Sequence, residues 1–327
     1  MKIRTNNIGG FFIFLLTLAL LVFGIIVMNY LCILYWFEEP AVEKRMVSVI
    51  PTTNIGTVIF ILFNFLGYLS TVSHLRASLT DPGIITPDIL PPSDFPKEDI
   101  KPCKKCNLKW KPMRAHHCSE CNVCIFKMDH HCPWINSCVG IKNTKYFFLF
   151  TLYTGLGALF AIALLITGFI LLLQDTTDTH YSKSGYPVAF FLCVCVLIES
   201  ILFSFFTLEL VGEQIESFQD NQTYIDDLKD LIGVPLTLGE AFKEWIGEDW
   251  TFWWLPTQPV LKLNYCSRLY KMQEIISRKY QEYEKLEYDT TGKYKAIALQ
   301  EAKQDRLKFF GFTVAMVVTL YFIVVMF

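Results

Sequence analysis

The sequence predicts an all-α polytopic membrane protein with four core transmembrane helices and a fifth at the C-terminus, and three observations carry this prediction. Of 327 residues, 53% are hydrophobic and only 18% charged, with a mean hydropathy of +0.36. A soluble chain of this length usually carries about a quarter charged residues. The apolar excess is gathered into a few long runs, as in membrane spans. A dense block of cysteines and histidines sits between the second and third runs. The formal net charge of −2 is uninformative by itself. No nucleic acid is expected as a partner, and the placement of the positive charges matters more.

The first run, 11–35, is too long for the apolar core of a signal peptide and is followed by no small-residue cleavage site. It is expected to be an uncleaved span. Further spans are expected at 55–75, 147–173 and 188–210, the last with Glu199 inside it. The final run, 309–327, just suffices to cross a hydrocarbon core of about 30 Å. The expected organisation is therefore helices 1 and 2 in 1–76, a Cys-rich domain in 77–146, helices 3 and 4 in 147–211, a polar region in 212–308 and helix 5 in 309–327.

Lysine and arginine set the orientation. Residues 77–145 hold ten and 212–308 hold thirteen, whereas connector 38–54 holds two and connector 174–187 one. The N-terminus, the Cys-rich domain and the region after helix 4 are thus expected in the cytoplasm, in an endomembrane (Golgi or endoplasmic reticulum) or the plasma membrane. The Asn221-Gln222-Thr223 sequon then stays unmodified. Within 212–308, the aromatic cluster Trp250, Phe252, Trp253 and Trp254 precedes a charged helix at about 265–305. That helix carries an apolar stripe through Leu269, Met272, Ile275 and Ile276.

Seven of the eleven cysteines and four of the six histidines fall between Cys103 and Cys138. Such a block, with Cys-x-x-Cys pairs, points to zinc in a reducing compartment rather than to secreted disulfides. Two tetrahedral sites need eight ligands, and the block offers eleven, so three residues are left over. An inert zinc module that absorbs Cys132 as a ligand is the alternative to a chemical role for the surplus.

Asp129-His130-His131-Cys132, within Arg114-Ala115-His116-His117-Cys118, Lys127-Met128-Asp129-His130-His131-Cys132-Pro133-Trp134, Cys138-Val139-Gly140, Asn143 and Phe147, resembles the DHHC protein S-acyltransferase (palmitoyltransferase) family. Asp81-Pro82-Gly83 matches a short family element after the second span. The resemblance implies interleaved ligand sets. One zinc takes Cys103, Cys106, His117 and Cys124, and the other takes Cys118, Cys121, His131 and Cys138. With four protein ligands each, both sites are closed and structural. Cys132, His130 and His116 are left over.

The chemistry implied is transfer of a long-chain acyl group, palmitoyl above all, from acyl-CoA to cysteines of membrane-associated proteins. A free thiol, with a pKa near about 8.5, is mostly protonated at neutral pH. His130 is expected to act as general base and Asp129 to orient it. Cys132 then carries the acyl group in a ping-pong cycle. A sixteen-carbon chain has roughly fifteen methylenes worth about 0.8 kcal/mol each on burial, so it is expected to lie among the four core spans. Gly155, Gly157 and Ala158 would leave room for it or, alternatively, let helices pack. Lys111 and Arg114, with His116 beside them, are candidates for the CoA phosphates. Trp134 and Phe147 are expected at the mouth of the acyl cavity.

The sequence departs from the family pattern at four places, one of them the expected fifth span, which lies outside the usual four-span plan. Ten residues, not nine, separate Cys106 from His117, with the extra one in 107–110. Thr223-Tyr224-Ile225-Asp226 stands where the family often has Thr-Thr-x-Glu, so rate or loop rigidity is expected to differ. Ala241 stands where an asparagine is usual. A zinc-braced scaffold or adaptor without activity is the rival reading. A transporter is disfavoured because Glu199 is the one clear acid deep in a span.

Overall fold

The computed structural model describes residues 8–33, 53–87, 89–90, 102–108, 110–112, 114–174, 186–229, 236–248 and 250–260. The charged helix expected at about 265–305 and the fifth span expected at 309–327 lie outside the described residues. The long helices are α1 (Ile8–Val27, continued by a π-helical turn Met28–Ile33), α2 (Asn54–Leu79), α3 (Thr144–Gln174) and α4 (Tyr186–Gln219). All four are long and apolar enough to cross a membrane, over Ile8–Leu31, Asn54–Leu79, Thr144–Ile170 and Pro187–Gln219. The last overruns its expected end at 210, because a helix continues past the hydrocarbon while its backbone bonds remain satisfied.

The chain divides into two compact units. Among the described residues, one is drawn from Leu15–Val72 and Phe150–Val211. Its core is built around Met28, Ile33, Ile59, Leu164 and Val196. Since lipid is as apolar as leucine, close packing and interhelical hydrogen bonds must hold such helices together. The Asn29 and Asn64 amides exchange two bonds of 2.9 Å, and the Ser70 and Thr154 hydroxyls lie 2.7 Å apart.

Glycines in this unit have two different roles. A Cβ on Gly155 would lie 2.8 Å from Thr207 Oγ1 and 3.2 Å from Leu208, so this glycine lets α3 and α4 approach. A Cβ on Gly157 would meet nothing within 4 Å. Gly157 and Ala158 line a cavity of about 80 Å³ together with Gly24, Glu199, Ser200 and Phe203. Glu199 Oε2 is buried there without a hydrogen-bond partner among the described residues.

Among the described residues, the other unit is drawn from 8–14, 73–149 and 212–260. It contains four short strands that helical periodicity did not predict: β1 (Ala115–Cys118), β2 (Val123–Phe126), β3 (His130–Cys132) and β4 (Ser137–Val139). They form two antiparallel hairpins, β1–β2 and β3–β4. The left-handed turn residues Asn122 and Asn136 help to close them. Asp81 Oδ1 accepts the backbone N–H groups of Gly83 and Ile84, and Gly83 adopts φ +109°. This turn lets the Gly83 carbonyl accept from Phe126 and the Ile85 N–H donate to Cys124. Buried Asn143 joins the end of α2 to the start of α3, donating to the Ala77 and Cys138 carbonyls and accepting from the Gly140 N–H.

Two small helices complete the unit, α5 (Tyr224–Asp227) and α6 (Leu238–Trp245), each opened by a threonine capping box. A box of this kind satisfies two backbone donors at once. Phe148, Phe218, Phe242 and Trp245 pack ring against ring beneath α6, with Ala241 fully buried.

The two glycines generate a paired prediction. Gly155→Ala is expected to destabilise the detergent-solubilised protein by about 1–3 kcal/mol through overpacking, whereas Gly157→Ala changes stability by less than about 0.5 kcal/mol. Thermal unfolding followed by circular dichroism compares them, and equal shifts would remove the distinction.

Candidate active site and metal centres

The hairpins bring together the side chains of two Cys/His clusters, Cys103–Cys106–His117–Cys124 and Cys118–Cys121–His131–Cys138. Within each, all four ligand atoms lie within 4.8 Å of one another. In the second cluster, His131 Nδ1 is 3.4 Å from Cys121 Sγ, 3.5 Å from Cys138 Sγ and 3.7 Å from Cys118 Sγ. In the first, Cys106 Sγ is 3.0 Å from His117 Nδ1 and 3.7 Å from Cys124 Sγ. A tetrahedral zinc with bonds of about 2.3 Å to sulfur and about 2.0–2.1 Å to nitrogen has ligand–ligand edges of roughly 3.5–3.8 Å. The second cluster fits those edges closely, the first slightly less so, and the donor set is that of zinc.

The longer spacing after Cys106 is absorbed locally. Cys103 and Leu108 exchange two backbone hydrogen bonds of 3.1 Å, with Asn107 left-handed at φ 52° between them. Cys103 and Cys106 are thereby presented to their cluster.

Cys132, the seventh cysteine of the block, belongs to neither cluster. It ends β3 opposite Ser137 and is 3% exposed. His130, two residues earlier on the same strand, shares its face (side chains alternate with period two). His130 Nδ1 is 2.8 Å from Asp129 Oδ2, and the ring also hydrogen-bonds the Cys132 side chain. With Nδ1 taken by Asp129, Nε2 is the nitrogen that can exchange a proton with the thiol. Burial pushes the His130 pKa down, but the hydrogen bonds and charges of Asp129 and Cys132 outweigh it and raise it to about 10. The ring is therefore protonated at neutral pH. Phe147 packs edge-on to His130 at 5.4 Å between ring centroids, and the Trp134 carbonyl accepts from His74 Nε2.

Asp129 is itself held from a distant segment, since its Oδ1 accepts the Tyr224 backbone N–H at 2.8 Å. Tyr224 is placed by the α5 capping box, in which Asp226 is the third residue. Asp226 is 1% exposed. It accepts from Arg114 Nε and Nη2 at 2.8 and 2.6 Å and from His116 Nε2 at 3.0 Å. Burial pushes its pKa up, but His116 and Arg114 more than offset this and hold it at about 2. The shorter side chain thus still reaches every partner. His116 is kept neutral mainly by burial, so Nε2 carries the proton and Nδ1 accepts from Lys229 Nζ at 2.9 Å. Arg114, considered above for CoA, is buried, with its guanidinium engaged by Asp226 and Asn221. Lys111 is half-buried and lies close enough to the exposed Lys229 for its charge to lower the pKa of that residue, after the larger effect of burial. Sequence reasoning did not single out Lys229. No motif marks it, and only the fold brings it to His116.

Residues 96–231 match the family model of the DHHC palmitoyltransferases. The rat palmitoyltransferases ZDHHC3 and ZDHHC7 are 42% identical to this chain over 176 and 175 residues, covering 52% of it and 58% and 56% of their own lengths. A probable protein S-acyltransferase 13 of Arabidopsis thaliana is 27% identical over 263 residues, 73% of this chain and 83% of its own. The chain thus spans less than two thirds of the mammalian relatives it matches.

Asp226 generates a pH prediction. Its folded pKa of about 2 lies below the ordinary 3.8, so its stabilisation is fully present above about pH 4 and lost as pH falls towards 2. Asp226→Asn is expected to cost about 2–3 kcal/mol near neutrality, with the gap to wild type closing through that acid window. Denaturant unfolding at a series of pH values measures it, and a pH-independent gap would contradict the assignment.

Proposed function

We propose, from the DHHC palmitoyltransferase domain that residues 96–231 carry, that this chain is a protein S-acyltransferase working through a thioester on Cys132. The observation that carries the reading is the state of that thiol. Alone among the cysteines of the block it stands outside both clusters, and it is hydrogen-bonded to an imidazole that a carboxylate holds in place. The two clusters would hold structural zinc ions, closed to substrate, that brace the hairpins around it.

In the proposed cycle His130 already holds the proton given up by Cys132, as an imidazolium that Asp129 stabilises. The thiolate attacks the acyl-CoA carbonyl, a C–S bond to Cys132 forms as the bond to the CoA sulfur breaks, and the departing CoA thiolate takes the proton from His130. A cysteine of a membrane-associated protein then gives its proton to the site and takes the acyl group, restoring Cys132. Each half-reaction exchanges one thioester for another, so no external energy source is required. The adenine nucleotide end of CoA is polyanionic, and Lys111 with Lys229 supplies the matching charge beside His116. Trp134 and Phe147 are proposed to line the entry of the acyl chain, which would extend among the apolar helices. The excess of lysine and arginine in 77–145 and 212–308 supports a cytoplasmic active site in an endomembrane or the plasma membrane.

Two experiments test this reading. Purified wild-type protein is expected to take label from an alkyne-tagged palmitoyl-CoA and release it to neutral hydroxylamine, whereas Cys132→Ser takes none. Equal labelling of both, or no labelling of metal-loaded wild type, would leave a zinc-braced scaffold as the better account. Asp129→Asn, with one raising influence on His130 removed, should move the basic limb of the autoacylation pH profile downwards from about 10, towards the ordinary value of about 6.5. An unmoved limb would exclude Asp129 from tuning His130.

A further inference from the structure

The segment Trp250–Val260 (WTFWWLPTQPV) contains no charged residue, although it follows Glu240, Lys243, Glu244, Glu248 and Asp249. A charge-free, aromatic stretch of this length in a polar region calls for an environment that rewards it. It is a closed loop, because the Glu248 N–H donates to the Val260 carbonyl at its base. Within it, Trp253 meets Phe242 edge-on at 5.6 Å, and Pro256 is buried. These inward contacts leave Phe252, Trp254 and Val260 on the surface, 50%, 40% and 56% exposed.

The position of the loop identifies what meets that surface. Lys145 Nζ donates to the Phe252 carbonyl at 3.2 Å and to Thr257 Oγ1 at 3.3 Å. Lys145 is itself buried, and it is the second residue of α3, whose membrane-crossing stretch begins at Thr144. The loop is therefore tied to the first turn of α3, and a span that begins at Thr144 would place it at the depth of the lipid headgroups. Amphipathic aromatic rings concentrate there, with apolar bodies in the acyl boundary and polar edges in the headgroups.

We propose that the Trp250–Val260 loop is an interfacial anchor whose Phe252 and Trp254 side chains insert into the headgroup–acyl boundary of the bilayer. It would fix the height of the surrounding unit on the membrane through the two Lys145 bonds. This role does not depend on catalysis at Cys132, and its test reads no activity.

The test uses the full-length protein in lipid nanodiscs and the tryptophan fluorescence lost on Trp254→Phe. That component is expected to emit at short wavelength and to lose most of its intensity in lipids brominated near the headgroup end of their chains. Bromination near the chain ends should affect it less, and aqueous iodide little. Phe252→Trp in the Trp254→Phe background provides a second reporter, expected to behave alike. Quenching of both reporters by iodide and not by bromolipid would show a loop standing in water and overturn the proposal. Protection from both quenchers would do the same, since it would show a protein segment covering the loop.

Discussion

The buried carboxylate of Asp226 is the constraint on which the site depends. It joins segments more than a hundred residues apart in sequence, accepting from Arg114 and His116 on one side and closing the α5 capping box on the other. A buried ion pair is weak evidence for net stability, because desolvation offsets much of its Coulomb gain. Its value lies in specificity. With both Asp226 oxygens and most of the Arg114 donors satisfied, α5 has one position, and the Tyr224 N–H is aimed at Asp129. Lys127 shows the same economy of buried charge. It is fully buried, paired to Glu244 at 3.0 Å and set 4.3 Å over the Trp245 ring, which ties β2 to α6 beside the Arg114 cluster.

The Cys/His clusters act on a shorter scale. Strands of three or four residues have too little ladder to stand alone. The ligands interleave: His117 goes to one cluster and Cys118, its neighbour, to the other. Likewise His131 is a ligand while His130 and Cys132 on either side of it are not. Strand alternation explains this directly, since successive side chains point to opposite faces. One face of β3 turns to the Cys118, Cys121 and Cys138 thiols, and the other carries the imidazole and thiol. A member of a Cys/His cluster and a hydrogen-bonded imidazole–thiol pair thus share three consecutive residues without competing.

Much of this was legible in the sequence, for reasons that can be named. Long apolar runs determine helix positions almost by themselves, so the four helices fall close to where hydropathy placed them, with ends shifted by as much as nine residues at the end of α4. The clustering of soft ligands was equally visible. Less visible was whatever depends on a distant partner. Arg114 looks like a free cation in sequence, and only Asp226 and Asn221, over a hundred residues away, show that its charge is used internally. Gly155 and Gly157 look alike, and only the Thr207 side chain on α4 separates packing from cavity. The hairpins were missed because no alternating run is long enough to signal a strand.

The same reasoning explains why Tyr224 can replace a threonine without dismantling the site. What Asp129 requires from that position is a donor, and the backbone N–H supplies it whatever the side chain. The geometry of that N–H is set by the box formed by Thr223 and Asp226, and both of those residues are buried. The Tyr224 side chain, by contrast, is 62% exposed, so its identity is released from the structural demand. A position held by its main chain can change its side chain freely, whereas Asp226, which acts through its carboxylate, cannot.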